Sequence, residues 1–486
     1  MENLADRDEA TQVALVKMIS PRSRTKAAGQ LIPFLAPDKH ELTIAILKLI
    51  CRWESRSVGF DVLHGLDMSP FIQSDHPVVR GFSGACLYSR APEHHQFLID
   101  QWLEETDPSL CQSGIIAAGL SHNPSYIPIL EDILTTKQAD QAIVPDIIIA
   151  LHRLEARDLN AILLNYLFHG NKTIRSAALD ALEITDESVL KQAIRLLGDP
   201  LPVIRARARE KIRTAPFNDN QVLVESLGMP SARIRKELFR LLETLDIKEF
   251  QVLLFAQKNL SKSYTLLAMA ESLNRLGHTT ERTLAAQHLI QKKDLILENT
   301  LRVLAIHDRT GKMKTAWKGI FSSDTRQKAN AIELLGDVLD KKTYGIMLPL
   351  LESPTPALTL TEGRKQIQII DPDQTEEAVF AYLVSSPDWV DAVMGLGLAQ
   401  KNPRLLENKD PDKPLANPEN PHISKEVDMI LRKKAPSQTP EGIIRETQIT
   451  MGEKILLLKE IDIFTGLSAA ELAAIAGVTK ELDYPE

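Results

Sequence analysis

Three arginines recur at intervals of 30 residues, each near the start of a segment with helical character. Arg175, Arg205 and Arg235 occur in the phrases KTIRSAALDAL, LPVIRARAREKI and SARIRKELFRLL. An arginine offers five N–H donors in a planar fork, which suits carboxylates, phosphates and backbone carbonyls. The ladder could therefore bind phosphate or nucleic acid, or it could join neighbouring segments. The regular interval favours the joining role, because a repeated structural contact needs the same donor in each unit.

The same region carries further basic side chains, which keep nucleic acid binding through residues 195–240 as an alternative. The two basic stretches within it are 195–213 and 233–240. The candidate basic surface consists of Arg207, Arg209, Arg213, Arg233 and Lys236. Dedicated nucleic-acid binders usually contain a strongly basic domain, whereas this chain has a formal net charge of −8. Nucleic acid is therefore the less favoured partner.

Other patterns that could support catalysis or metal binding are incomplete. His94 and His95 are adjacent, so on a helix they point about 100° apart and one metal ion would not take both. The GLGLAQ segment around Gly395 lacks a third glycine and a preceding strand. The DPDQTEE segment from Asp371 lacks the glycine and the bidentate glutamate of a calcium loop. We therefore predict a protein that is not an enzyme, with no catalytic residue, metal or cofactor in this chain.

Helices with a single apolar stripe must position the arginines. Ile174, Ala178 and Leu182 are spaced i, i+4 and i+8, so they lie on one face of a helix. The equivalent residues in the other five units are Ile204, Ala208 and Ile212; Ile234, Leu238 and Leu242; Ile143, Ile147 and Leu151; Leu110, Gly114 and Ala118; and Val79, Ser83 and Leu87. Arg80 takes the arginine position of the earliest unit. Such helices cannot close a core alone but can do so when stacked, so the sequence predicts an all-α, right-handed α-solenoid.

Composition and cysteine usage narrow the class further. The 486 residues are 44% hydrophobic and only 5% aromatic, which suits packing of helices on helices. Cys51, Cys86 and Cys111 are an odd number without CxxC spacing, so we predict reduced thiols. The first residues are polar and acidic, and no apolar run approaches the ~20 residues of a membrane helix. The prediction is a cytoplasmic protein without direct membrane insertion, which a partner could hold at the inner face of a membrane.

The pattern predicts four successive regions. Residues 1–70 would form capping helices, 71–400 the solenoid, 401–424 a Pro-rich linker, and 425–486 a C-terminal helical segment. In that last segment we expect a helix over 454–460 and a second helix capped by Ser468 and Glu471.

The period loosens between residues 251 and 400, where the number of repeats stays open. Gln327, Ala331 and Leu335 are predicted to lie on an inner stripe. Val390, Met394 and Leu398 repeat the stripe once more, but Asp391 occupies the arginine position, so the electrostatic part of the motif is lost there. The polar segment Ser353–Glu376 is predicted to leave the stack.

The phrase of a turn, then Val or Ile, then Arg, then small residues and Leu resembles HEAT repeats over residues 20–400. This resemblance implies that Arg80, Arg175, Arg205 and Arg235 tie adjacent repeats together. The segment KILLLKEIDIFTGLSAAELAAIA resembles the helical entry of a cyclic-nucleotide-binding domain, which would lead into a β-roll. The combination is similar to the soluble region of bacterial ATP/ADP antiporter-like transporters.

These resemblances and the basic residues of 195–240 lead to three functional hypotheses. The first is a non-catalytic scaffold that binds a protein partner on its concave face, as the regulatory part of a cyclic-nucleotide-responsive protein. The second is a cytosolic module or partner of a membrane nucleotide transporter, and the third is the nucleic-acid binder described above. A cyclic nucleotide would require a β-roll downstream of Glu486, so we expect no binding of cyclic AMP or GMP to residues 1–486.

Overall fold

The computed structural model describes residues 7–19, 30–54, 66–135, 141–217, 219–229, 231–245, 249–308, 310–367, 375–386, 388–402, 404–407, 449–464 and 466–479. All regular secondary structure in these ranges is helical, which confirms the predicted all-α class. The chain divides into two compact units, Met1–Asn218 and Asp219–Glu486. This division was not predicted from the sequence.

Most helices of the first unit start at a proline or at a capping side chain. Asn171 accepts a hydrogen bond from the backbone N–H of Thr173, and Asp186 accepts one from that of Val189. The helices are α1 (Glu9–Met18), α2 (His40–Glu54), α3 (Ser69–Ile72), α4 (Pro77–Arg90), α5 (Pro92–Glu104), α6 (Pro108–Leu120), α7 (Ile127–Thr135), α8 (Val144–Arg153), α9 (Leu159–Leu163), α10 (Lys172–Ala181), α11 (Glu187–Arg195) and α12 (Pro202–Thr214). Short 3₁₀ turns occupy Ile32–Phe34, Pro124–Tyr126 and Leu196–Gly198.

Five helices of the first unit pack in sequence order to form what we call the first-helix row: α4, α6, α8, α10 and α12. Helix α6 packs on α4 and α8, and α10 packs on α8 and α12. The predicted apolar stripe faces the interior, because Ile174, Ala178 and Leu182 are all fully buried. Ile204, at 2% exposed, has the equivalent position on α12. Helices α5, α7, α9 and α11 each pack against the row.

Glycines allow the row to pack at short range. A Cβ atom on Gly119 of α6 would lie 2.6 Å from the Cα and Cβ atoms of Ala150 on α8. A Cβ atom on Gly81 of α4 would lie 2.7 Å from the Cβ atom of Ile116 on α6. Larger side chains at these two positions would force neighbouring helices apart, so the row depends on the absence of a side chain.

The second unit combines short helices with two long ones. Its helices are α13 (Asn220–Glu225), α14 (Ala232–Leu242), α15 (Glu249–Arg275), α16 (Thr280–His307), α17 (Lys312–Ile320), α18 (Thr325–Val338), α19 (Lys341–Glu352), α20 (Pro356–Arg364), α21 (Glu376–Val384), α22 (Trp389–Lys401), α23 (Arg404–Glu407), α24 (Met451–Glu460) and α25 (Ala469–Ala476). Helices α15 and α16, of 27 and 28 residues, pack along each other as an extended hairpin. This hairpin explains why the 30-residue period loosens after residue 250.

Two expectations for the second unit are wrong. Of the predicted stripe, Ala331 and Leu335 are buried but Gln327 is exposed. Gln327 lies in the first turn of α18, and most residues of that turn are exposed to solvent. The Ser353–Glu376 segment does not leave the stack throughout, since it contains α20. A Cβ atom on Gly363 of α20 would lie 2.1 Å from the buried ring of Tyr264, so α20 packs directly on α15.

The C-terminal helices pack on the rest of the second unit. Ser468 and Glu471 form the predicted capping box at the start of α25. A second capping box at α24, formed by Thr450 and Glu453, was not predicted. The apolar residues of α24 and α25 share a core with α15, α16, α21 and α22. Most of the predicted linker, and the first part of the predicted C-terminal segment, lie outside the described residues.

Among the helices described, none has both the length and the apolar character that crossing a membrane requires.

We predict that Ala208→Asp lowers the free energy of unfolding by several kcal/mol, roughly 3–5, because it places an unpaired charge between buried helix faces. Ala208 is fully buried on α12, whereas Ala206 on the same helix is exposed. Ala206→Asp is therefore the matched control, with an expected loss of about 0.5 kcal/mol. Urea denaturation followed by far-UV circular dichroism measures both. Equal losses for the two variants would contradict the inward orientation of the stripe.

Candidate partner-binding site

Each predicted repeat arginine bonds the turn that precedes its helix. One guanidinium N–H donates to the backbone carbonyl six residues earlier, an interaction that we call the arginine clip. For Arg175 the acceptor is His169, at 2.9 Å, and for Arg205 it is Asp199, at 2.8 Å. The other two are Arg80 to Ser74 and Arg235 to Met229, both at 2.7 Å. The clip supplies a donor to a carbonyl that a turn leaves without a helical partner.

The remaining donors of two clip arginines reach the next helix pair. Arg175 donates through Nε and Nη2 to the two carboxylate oxygens of Asp199, at 2.8 and 3.3 Å. Arg80 donates to the hydroxyl groups of Ser109 and Ser113, at 2.6 and 3.1 Å. Asp199 in turn supplies the carbonyl for the clip of Arg205. Arg175, Asp199 and Arg205 therefore form a continuous chain of hydrogen bonds along the first unit.

A fifth clip, at Arg282, was missed in the sequence. Its guanidinium donates to the carbonyl of Leu276 at 2.8 Å and to both carboxylate oxygens of Glu376, at 2.7 and 3.1 Å. Burial alone would raise the pKa of Glu376, but its hydrogen bonds from Arg282 and Asn402 hold that pKa below the usual value. The residue before Arg282 is glutamate, whereas the motif requires Val or Ile, so a search for the motif does not find Arg282. The sequence feature that could have identified this arginine is the N-cap residue Thr279, which marks the start of its helix.

Asp391, which occupies the arginine position of the last predicted unit, is the centre of a buried polar cluster. Its side chain is fully buried and accepts from His288 Nε2 at 2.7 Å and from Ser386 Oγ at 2.5 Å. The ammonium group of Lys292 also contacts it and lies 3.4 Å from Asp388. Burial alone would raise the pKa of Asp391, but the hydrogen bond from His288 and the charge of Lys292 lower it to about 2. The arginine interaction of the motif is thus absent at this position, and a buried carboxylate cluster that was not predicted takes its place.

The candidate basic surface is divided and partly neutralised. Arg207 pairs with Asp180 at 2.9 Å, and Arg213 pairs with Glu210 at 2.5 Å. Arg207, Arg209 and Arg213 lie on α12 of the first unit. Arg233 and Lys236 lie on α14 of the second unit. The acidic partners reduce the positive potential that α12 offers to a phosphate backbone.

Two clefts flank the turn Arg153–Asp158, which joins α8 to α9 in the first unit. The first cleft, of about 1020 Å³, is lined by His122, Pro124, Ile127, Pro128, Glu131, Thr135, Arg153, Leu154, Glu155, Arg157, Asp158, Ala161 and Ile162. The second, of about 850 Å³, is lined by His152, Arg153, Glu155, Ala156, Asp158, Leu159, Asn160, Ala161, Leu164, Ala181, Glu183, Thr185, Asp186, Ser188 and Val189. Together they cross the turn edges of three successive helix pairs.

The ridge between the clefts is held in a defined shape. His122, Glu155 and Asp158 have φ values near 55°, and they are the non-glycine residues with positive φ in the described ranges. The N–H of Ala156 donates to the carbonyl of Leu151 and so closes the end of α8. The Asn160 side chain bonds the backbone N–H and carbonyl of Glu183, at 3.1 and 2.7 Å, and fixes the next turn beside it.

The clefts are acidic. Five carboxylate side chains face two guanidinium groups among the lining residues. Within the described ranges Glu131, Glu155, Asp158 and Glu183 make no side-chain hydrogen bond or salt bridge, and the last three are exposed. Their carboxylates are therefore available to positively charged groups. Sequence reasoning missed this site, because turn conformation brings its residues together.

Comparison with known proteins gave no match to any protein-family model and no significant match among curated proteins.

We predict that Arg175→Ala lowers the free energy of unfolding by about 3–5 kcal/mol, because it leaves Asp199 buried without its counter-charge. The Arg175 and Asp199 side chains are 10% and 3% exposed. Arg213→Ala is the control, because that pair is about half exposed and should contribute ~0.2–1 kcal/mol. Urea denaturation measures both variants. A loss for Arg175→Ala as small as that of the control would refute the proposed importance of the buried pair.

We predict that Asp391→Asn destabilises the protein by about 3–5 kcal/mol at neutral pH, since Lys292 would lose its buried counter-charge. The pKa of Asp391 is about 2 when folded and 3.8 ordinarily, so its stabilisation is complete above about pH 4 and is lost as pH falls toward 2. The difference between wild type and Asp391→Asn should therefore shrink over that window. Unfolding midpoints measured against pH test this, with exposed Asp132→Asn as control. A difference that stays constant down to pH 2 would contradict it.

Proposed function

We propose that this protein is a non-catalytic, HEAT-like α-solenoid scaffold that binds a protein segment. The observation that carries the proposal is the arginine clip, which recurs at the helix starts of both units. Together with the resemblance to HEAT repeats, it supports a stack of equivalent helix pairs. In such a stack each pair covers the apolar stripe of its neighbour, and the faces and edges of the stack are left for partners.

The surface of the first-helix row offers exposed apolar side chains to a partner. Ile149 on α8 and Val203 on α12 are large apolar residues that are 38% and 62% exposed. The two acidic clefts lie beside the same row, at its turn edge. A partner that lies along the row could contact apolar groups on the helices and charged groups at the turns. The concave face expected from the sequence remains part of the proposal.

We also propose that α24 and α25 connect this scaffold to cyclic-nucleotide regulation. Their support is the resemblance of their sequence to the entry helices of a cyclic-nucleotide-binding domain. They share a core with α22, and the side chain of Gln400 hydrogen bonds to Thr450 at the start of α24. A movement of α24 would therefore displace the side chains of α22 that pack against it. Regulation through this contact requires two arrangements with different affinity for the ligand.

Site-specific photo-crosslinking in the cells of origin tests the scaffold proposal. A photoreactive amino acid is placed at Ile149 or Val203 on the row, at Glu155 on the ridge, or at Lys191 on α11 as control. We expect light-dependent crosslinks to one common protein from at least one row or ridge position and none from Lys191. The absence of crosslinks at all three positions, or equal crosslinking at Lys191, would refute the proposal. Crosslinks from the row alone would support the scaffold without involving the clefts.

A further inference from the structure

We propose that the two acidic clefts bind an extended basic segment of a partner protein, with Lys or Arg at every third position in a polyproline II conformation. The inference rests on the proposed scaffold function and specifies the chemistry of its partner. Two independent properties of the clefts carry it. They follow one another along consecutive helix pairs, and four of their five carboxylates, those of Glu131, Glu155, Asp158 and Glu183, make no side-chain hydrogen bond or salt bridge in the described ranges.

The spacing of the clefts selects the conformation of the bound segment. The clefts lie on either side of one turn, so they are separated by about the distance between neighbouring packed helices, roughly 8–10 Å. The polyproline II helix repeats every three residues and rises about 3.1 Å per residue, so equivalent side chains recur every ~9.3 Å on one face. A β-strand returns to one face every ~6.8 Å and fits this interval less well. A bound segment that places one side chain in each cleft therefore needs those side chains at every third position.

The charges that line the clefts determine which side chains the bound segment must carry. Glu131 faces the first cleft, Glu183 faces the second, and Glu155 on the ridge borders both. A Lys or Arg entering each cleft would meet carboxylates that now make no salt bridge. Arg153 and Arg157 would repel such a side chain locally, but the five carboxylates among the lining residues outnumber these two guanidinium groups. The residues between two basic side chains of the bound segment would cross the ridge. Proline suits these positions, because it favours an extended backbone and has no N–H that needs an acceptor.

Fluorescence anisotropy with the full chain tests the inference. The probe is a fluorescein-labelled Lys-Pro-Pro repeat peptide of about twelve residues, and two comparison peptides have the same length. In the first, glutamate replaces each lysine; in the second, the same lysines and prolines are arranged in blocks. We expect binding of the Lys-Pro-Pro peptide that weakens as salt is raised. The block peptide should bind several-fold more weakly, and the glutamate peptide should not bind.

Paired variants separate the clefts from general acidity. Glu155→Gln combined with Glu183→Gln should weaken binding about three- to thirty-fold, because each exposed charge pair contributes modestly. Glu93→Gln combined with Asp132→Asn removes two exposed carboxylates outside the clefts and should change binding less than two-fold or so. Equal weakening by both pairs, equal binding of the block peptide, or no binding would overturn the inference. Those results would leave the crosslinking test of the scaffold unaffected, so the two proposals can fail separately.

Discussion

Each repeat arginine hydrogen bonds the carbonyl six residues earlier, and in Arg80 and Arg175 the remaining donors join that turn to the next helix pair. Burial of an apolar stripe drives helices together but is not directional, so it fixes neither the turn nor the register. The guanidinium adds direction, because its donors leave in one plane at fixed angles. In Arg175 one edge of that plane bonds the turn behind the helix while the other bonds Asp199 in the next pair. One side chain thereby couples local and inter-repeat geometry.

The sequence was sufficient to predict the buried helix faces because their signal is local. The i, i+4, i+8 spacing of Ile174, Ala178 and Leu182 identifies a helix face from one segment alone, and all three are buried. The acceptors of the clip are also local, at six residues before the arginine, but they were not predicted. The capping box of Ser468 and Glu471 was predicted for the same reason, since its two members lie within one helical turn.

The parts that could not be predicted depend on contacts distant in sequence or on backbone conformation. The buried cluster around Asp391 was not predicted, because the donor His288 is 103 residues away and the i, i+4 pair of His288 and Lys292 gives no sign of its partner. Helix α20 was taken for an excursion because its sequence is polar. Its attachment uses Gly363, where a missing side chain makes room for the ring of Tyr264. The composition of a segment indicates how much apolar surface it can bury, but it does not show where a glycine allows two helices to approach closely.

Repetition gives the clefts a property that a single pocket lacks. In a stack of similar helix pairs, any feature at the turn edge recurs at the spacing of the helices, so the surface has a period as well as a charge. A flexible basic chain could meet the same carboxylates only after losing the conformational freedom of every residue between its contacts. A polyproline II segment has already lost much of that freedom and carries the matching period. The tight approach of Gly119 to Ala150 matters here too, because it fixes the spacing of α6 and α8, which carry the turns that border the first cleft.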